Sequence, residues 1–268
     1  MLELSGVRTV DGKVLKESDI WFEYNGQPLK WHYPAGLLYD MLVGNGVARN
    51  GEPELPWSLT LHVRKFPVGK LIPAPSTQLM RDMFMAMIKE ADFIRFGSTK
   101  RVMDLAKSDQ MQLLDGLEAH SFEKYFAIHS IIAPIHYEAI LAQQQQQTPP
   151  GKSRSQLPKA IPLRFYMLSS AQEDGGKEAA KLDISQFHVS QLPVPLVKEG
   201  SNEQLLTVTD AFKLCYEITD PSSNAFVSKC ACLCQGISVP WDTPIAWLAD
   251  NLFYADCFLH LVVIHTAM

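Results

Sequence analysis

Three cysteines stand at alternate positions, Cys230, Cys232 and Cys234. On a strand, side chains two apart share a face, so the three thiols would point one way, as a soft-metal or redox site requires. Structural zinc is usually held by C-x2–4-C pairs with a second pair elsewhere, and no second pair is present. The competing reading is a core-facing strand, because a thiol also packs as a small hydrophobe. That is the expectation here, with no metal and no cofactor. Cys257 and His260 invite a nucleophile–base reading. On one strand over 257–265, however, positions three apart face opposite sides and cannot meet locally. No G-x-S-x-G, H-E-x-x-H or phosphate loop accompanies them. No catalytic residue is expected.

Binding is a different matter. Trp21, Phe22, Tyr24, Trp31, His32 and Tyr33 form an aromatic cluster that is either a ligand platform or the core and rim of a small domain. Met80, Met83, Met85 and Met87 resemble an adaptable methionine surface, although at helical spacing such residues are more often core. For both groups the core reading is preferred. The stretch FEKYFAIHSIIAP (122–134) has one lysine, Lys124, and ends in a proline. At about 100° per residue, Phe122, Tyr125, Phe126, His129 and Ala133 share one face, read as core. Lys124, Ala127, Ile128 and Ile131 form the opposite stripe. A surface helix should be polar there, so this one is either buried on both sides or covered by a partner.

The elements around these residues read as two α+β blocks separated by helices. Asn25-Gly26 is a strong turn signal within DIWFEYNGQPLKWHY (19–33), a hairpin, and Pro34 opens a short apolar helix that Gly44 and Gly46 end. WSLTLHVRKF (57–66) alternates as a strand. Helical patterns follow Ser76, with further caps expected at Ser98 or Thr99, Asp109 and Ser121. Five glutamines at 143–147 and TPPGKSRSQ mark a linker without a core. Strands over IPLRFYML, AFVSKCACLCQGISV and FLHLVVIH alternate with helices in EQLLTVTDAFKLCYE and TPIAWLADNLF, with an extended stretch near 185–197. The divisions are 1–75, 76–136, a Gln/Pro/Ser-rich linker at 137–158, and 159–268. No repeat of simple period is evident, though the two α+β blocks share a plan.

Composition sets the class. A chain of 268 residues, 47% hydrophobic and 20% charged, can bury a sizeable core. A net charge of −5 argues against nucleic acid as a partner. The start lacks the basic and apolar regions of a signal peptide, and CFLHLVVIHTAM is too short for a span. With five late cysteines and no disulfide framework, the expected location is cytoplasmic.

SDIWFEYNGQPLKWHYPAGLLYDML (18–42) closely resembles the signature of the autophagy protein 5 family. The likeness continues through PWSLTLHVRKFP (56–67), FMAMIKEAD (84–92), GLEAHSFEKYFAI (116–128), IPLRFY (161–166), QGISVPWDTPIAWL (235–248) and NLFYADCFLHLVVI (251–264). The resemblance implies an α+β fold of two ubiquitin-like (β-grasp) domains flanking a helical domain. It implies a non-catalytic scaffold of autophagosome formation. Such a scaffold is joined to the ubiquitin-like autophagy protein 12 and binds the N-terminal helix of the coiled-coil autophagy protein 16. It promotes the ligase-like transfer of autophagy protein 8 to phosphatidylethanolamine, with the chemistry in autophagy protein 3. The implied location is peripheral, on the preautophagosomal (isolation) membrane.

Two departures from the family pattern shape the expectations. Read without gaps from Gly116-Leu117 through Phe126-Ala127-Ile128, the family's acceptor lysine falls at Ile131, which has no amine. Docking of autophagy protein 12 is therefore expected on Lys124, Ala127, Ile128 and Ile131 without a covalent bond. The alternative is conjugation at another lysine such as Lys124, two helical turns or roughly 10 Å earlier. Only 17 residues precede the 18–42 stretch, and they resemble the family poorly, so an incomplete first domain is a further expectation. The groove residues for autophagy protein 16 are not named by the resemblance. No basic amphipathic helix stands out, so any direct membrane contact is expected from scattered basic residues and weak.

Overall fold

The computed structural model describes residues 9–10, 13–14, 16–44, 55–73, 76–134, 137–138, 141, 158–168, 183–198, 204–216 and 226–266. The five-glutamine run and Gly46 lie outside them. The first α+β unit opens with a two-residue-per-strand hairpin, β1 (Thr9–Val10) and β2 (Lys13–Val14). An antiparallel sheet follows, with order β4-β3-β5 for β3 (Trp21–Tyr24), β4 (Gln27–Pro28) and β5 (Thr60–His62). Asn25 and Gly26 take φ of 50° and 77°, the double left-handed turn that an Asn-Gly hairpin favours. Pro34 caps α1 (Ala35–Leu42), whose residues 37–42 are all buried. The strand expected over 57–66 shrinks to β5, and Lys65 beyond it adopts φ 56°, outside the β region.

The helical unit comprises α2 (Thr77–Phe96), α3 (Lys100–Met103), α4 (Lys107–Glu118) and α5 (Phe122–Ile132). Ser76 accepts the Leu79 N–H, and Gly97 ends α2 at φ 72°. Thr99 and Ser121 occupy N-cap positions without side-chain caps, and Ser98 Oγ accepts the Lys100 N–H instead. Asp109 is not a cap. Ala106 stands there, and Asp109 lies in the first turn, where its charge suits the helix dipole.

The second α+β unit is a five-stranded sheet. Its strands are β6 (Ala160–Leu168), β7 (Phe187–Pro195), β8 (Cys230–Cys234), β9 (Ile237–Val239) and β10 (Leu259–His265). They run in the order β7-β6-β10-β8-β9, with β10 parallel to β6 and the other pairs antiparallel. First and last strands side by side and parallel at the centre define a β-grasp sheet. The stretch read as one strand over 225–239 is therefore a hairpin, turning at Gln235-Gly236. Helices α6 (Val208–Cys215) and α7 (Ile245–Asn251) complete the unit. Phe165 meets Phe212 of α6 edge-on at 5.5 Å, while its neighbour Tyr166 points to the other face, toward Tyr33 of the first unit. With both faces covered, β10 reads as the near-continuous apolar run LHLVVIH.

The second half of this unit repeats in the first. Gln235-Gly236 has φ of 52° and 79°, close to Asn25-Gly26, and Pro244 caps α7 as Pro34 caps α1. A hairpin, a proline and a short helix thus recur without a constant period. The first unit and the helical unit both dock on the sheet of the second. Gly44 faces Leu233 and Ile264, and buried Asp40 accepts the Gly236 N–H at 2.6 Å and the Tyr254 hydroxyl at 3.4 Å. From the helical side, Glu90 of α2 takes Arg164 at 3.4 Å and Gln191 at 2.7 Å.

Candidate partner-docking sites

Helix α5 is held on one side only. Tyr125, Ile128, His129 and Ile132 are buried, while Phe122 is 64% and Ile131 53% exposed, and Lys124 and Ala127 are exposed too. The expected stripe therefore needs one correction. Ile128, 5% exposed, packs in the core with Ile88, Leu113 and Phe258 and is not available to a partner. It lies one turn from Tyr125 on the seam between faces, and the core reaches around to it. Phe122, read as core, stands outside and stacks on Phe126 at 5.0 Å. Lys124, Ala127 and Ile131 thus share an outward face. Its only amine is on Lys124, and Ile131 ends in hydrocarbon.

Behind that face lies His129. Its ring stacks on Phe253 at 4.1 Å and 9°, and neither ring nitrogen has a hydrogen-bond partner among the described residues. Burial, assisted by the Arg95 charge, lowers its pKa to about 4, so the ring is neutral at neutral pH.

A groove of about 1200 Å3 opens between the three units. The first unit contributes Trp31, His32 and Tyr33, and α2 contributes Met80, Met83 and Met87 from positions i, i+3 and i+7. Leu117 and Glu118 come from the end of α4, and Ile237 and Tyr254 from the second unit. Arg81 closes one rim with a forked ion pair to Glu118 at 2.7 and 2.6 Å. These methionines and aromatics, read from sequence as core, are only partly buried and line an apolar slot. Helical spacing groups only Met80, Met83 and Met87 on this face; Met85, named with them from sequence, packs against the helical core. Spacing could not say that the face looks across a gap, because the opposite wall comes from residues distant in the chain.

The thiols are differently placed. Cys230, Cys232 and Cys234 are all buried on β8 in the core of the second unit, as the core-facing reading expects. Burial raises the thiol pKa of Cys230 to about 11 and those of Cys232 and Cys234 further, the wrong direction for a nucleophile. Cys257 precedes β10, at φ 66°, where the sequence reading had a strand; burial first of all raises its thiol to about 11. His260 does not meet it as a base. Its Nδ1 bonds the Tyr166 hydroxyl and its Nε2 the Asp256 carboxylate, both at 2.9 Å. That buried chain ties β6 to β10 and to the loop before it.

Comparison with known proteins gives this architecture a lineage. Three family models match in order: "Autophagy protein ATG5, UblA domain" over residues 5–63, its "alpha-helical bundle region" over 77–135, and its "UblB domain" over 160–263. The chain is 30% identical over 263 residues to autophagy protein 5 of Phaeosphaeria nodorum, covering 92% of this chain and 76% of that protein. It is 28% identical to the Arabidopsis thaliana protein of the same name, covering 92% and 80%, and 28% identical to the Drosophila melanogaster one, covering 92% and 74%. The crystal structure of Kluyveromyces marxianus Atg5 has the same fold, with a TM-score of 0.61 at 23% identity over 92% of this chain and 73% of that one. Two ubiquitin-like domains flanking a helical domain, with sequence likeness along nearly the whole chain, place it in autophagy: the chain belongs to the autophagy protein 5 family.

Proposed function

We propose that this chain is a non-catalytic scaffold of autophagosome formation that holds two partners at once. Autophagy protein 12 docks on the outer face of α5 without a covalent bond. The N-terminal helix of autophagy protein 16 lies in the three-sided groove. Together they promote ligase-like transfer of autophagy protein 8 from autophagy protein 3 to phosphatidylethanolamine, with the scaffold peripheral on the preautophagosomal membrane and otherwise cytoplasmic. The observation that carries the reading is Ile131. It is exposed on the helix and at the position where the family likeness calls for a lysine, and its hydrocarbon side chain suits a docking face but not an isopeptide bond. The groove supports the second partner, since a methionine-rich apolar slot is a general way to hold an amphipathic helix.

Lys124 supports a second reading, covalent attachment, because it is exposed on the same face. Co-expression with autophagy protein 12 and its conjugating enzymes, followed by a denaturing gel, separates the two. Co-purification under native conditions with no shifted band supports docking alone. A band that survives denaturation and vanishes in Lys124→Arg supports the second reading.

A further inference from the structure

We infer that the methionine wall of the groove is a site of reversible oxidation: a peroxide converts Met80 and Met83 to sulfoxides and, on the groove reading given above, the oxidised slot no longer holds an apolar helix. Met80 and Met83 line the slot about one turn apart, both partly exposed, Met83 at 37%. Met87, about one turn further on, lines it too, but its sulfur accepts from Arg164 Nη2 at 3.9 Å, which draws on the lone pair an oxidant needs. Thiols compete with thioethers for peroxide. Here burial raises the pKa of all five cysteines, so reactive thiolate is scarce and the thioethers are left as targets. In the reaction the O–O bond of the peroxide breaks and one oxygen bonds to sulfur. The sulfur gives up two electrons, and the other oxygen leaves as water. A dithiol reductase reverses the step, releasing water and forming a disulfide.

The consequence differs between the empty and the filled slot. A sulfoxide places a hydrogen-bond acceptor on a side chain that was apolar. In the open groove water satisfies it. Beneath an apolar helix it would be buried, which is costly without a donor. Arg81, next to Met80 in the chain, cannot supply one, because its guanidinium is held in the fork to Glu118 at 2.7 and 2.6 Å. Oxidation therefore weakens binding without unfolding the scaffold. Met103 of α3 and Met111 of α4, 57% and 49% exposed, do not line the groove and should oxidise without affecting it. Met41, buried in the core, should not oxidise.

The test treats the full chain with hydrogen peroxide, removes the excess with catalase and maps sulfoxides by peptide mass spectrometry. Isothermal titration then measures binding of an autophagy protein 16 N-terminal peptide. Oxidation of the wild type should weaken binding by about tenfold or more with thermal melting unchanged, and methionine sulfoxide reductase should restore it. In Met80→Leu with Met83→Leu, the ratio of reduced to oxidised affinity should fall to about one, whatever the variant's own affinity. In Met103→Leu with Met111→Leu that ratio should stay at about tenfold. Failure of the reduced wild type to bind overturns the groove reading, and the oxidation switch with it. Three results overturn the switch alone: binding that peroxide leaves unchanged, sensitivity that survives the Met80 and Met83 substitutions, or a loss that tracks a fall in melting temperature.

Discussion

Gly116 of α4 rests directly on the backbone of α5 at Tyr125: a Cβ at Gly116 would stand 2.6 Å from the Tyr125 nitrogen and 3.0 Å from its Cα. Since backbone cannot rotate away as a side chain can, the smallest residue fixes how closely the two helices approach and how α5 presents Lys124 and Ile131. Gly116→Ala should therefore destabilise the fold by about 1–3 kcal/mol, as overpacking does. Urea unfolding followed by circular dichroism measures it, and an unchanged midpoint would mean that α5 moves aside freely.

Ile131→Lys should be nearly neutral for stability, within about 0.5 kcal/mol, because the side chain is largely in solvent. In the co-expression assay this variant should acquire a denaturation-resistant band if autophagy protein 12 retains a C-terminal glycine. If the glycine is present and no band forms, the assignment of position 131 from the family likeness is wrong.

Met83, 37% exposed in the groove wall, offers a test of the second surface. Met83→Asp should leave melting unchanged but weaken binding of an autophagy protein 16 N-terminal peptide by at least tenfold, since docking would bury an unpaired charge. Isothermal titration against the wild type decides, and equal affinities would place the peptide elsewhere.

His129 makes stability depend on pH. The unfolded chain takes up this proton near 6.5 and the folded chain only near 4. Between those values the unfolded state binds more protons, so the His129 contribution to stability is lost as pH falls from 6.5 to 4. His129→Phe keeps the stacking on Phe253 and removes two unpartnered nitrogens. The variant should melt higher than wild type at pH 5, by more than at pH 7.5. A gap independent of pH would show that the ring is solvated in the native state.

Asp40 acts in the opposite sense. Burial, against the hydrogen bonds it accepts from Gly236, Gln235 and Tyr254, raises its pKa from 3.8 to about 6. In that window the folded state binds more protons, so this residue's contribution grows as pH falls from 6 toward 3.8. Asp40→Asn can still accept the Gly236 N–H and should gain on wild type at pH 7 but not at pH 4. Melting curves at both values read the difference, and an Asn variant weaker at pH 7 would show that the charge is needed.

Much of this was legible in the chain and some could not be. Asn25-Gly26, Ser76 and Pro34 carry local geometry in their own chemistry, so the hairpin, the α2 cap and the start of α1 could be placed from sequence. The alternate cysteines share one core-facing strand, as a period of two requires. Ile128 and Phe122 were misassigned because helical periodicity gives angles but not the extent of the surface that covers them. The groove walls at Trp31 and Met83 were read as core for the same reason: a residue facing a gap and one facing a neighbour have the same local pattern. The duplicated hairpin escaped notice because Gln235 replaces Asn25 and the turn geometry, not the residue type, repeats.

The shared footing of the first unit and the helical unit on one sheet has a kinetic side. The connection through Asp40 and Gly236 and the one through Arg164 and Glu90 set the distance between the groove's walls from below. The slot exists before anything enters it. An arriving helix need not wait for the walls to assemble, so encounter should proceed as between shaped bodies, at about 10^5 to 10^7 per molar per second. The lifetime of the complex, rather than the speed of its formation, would then distinguish a good occupant from a poor one.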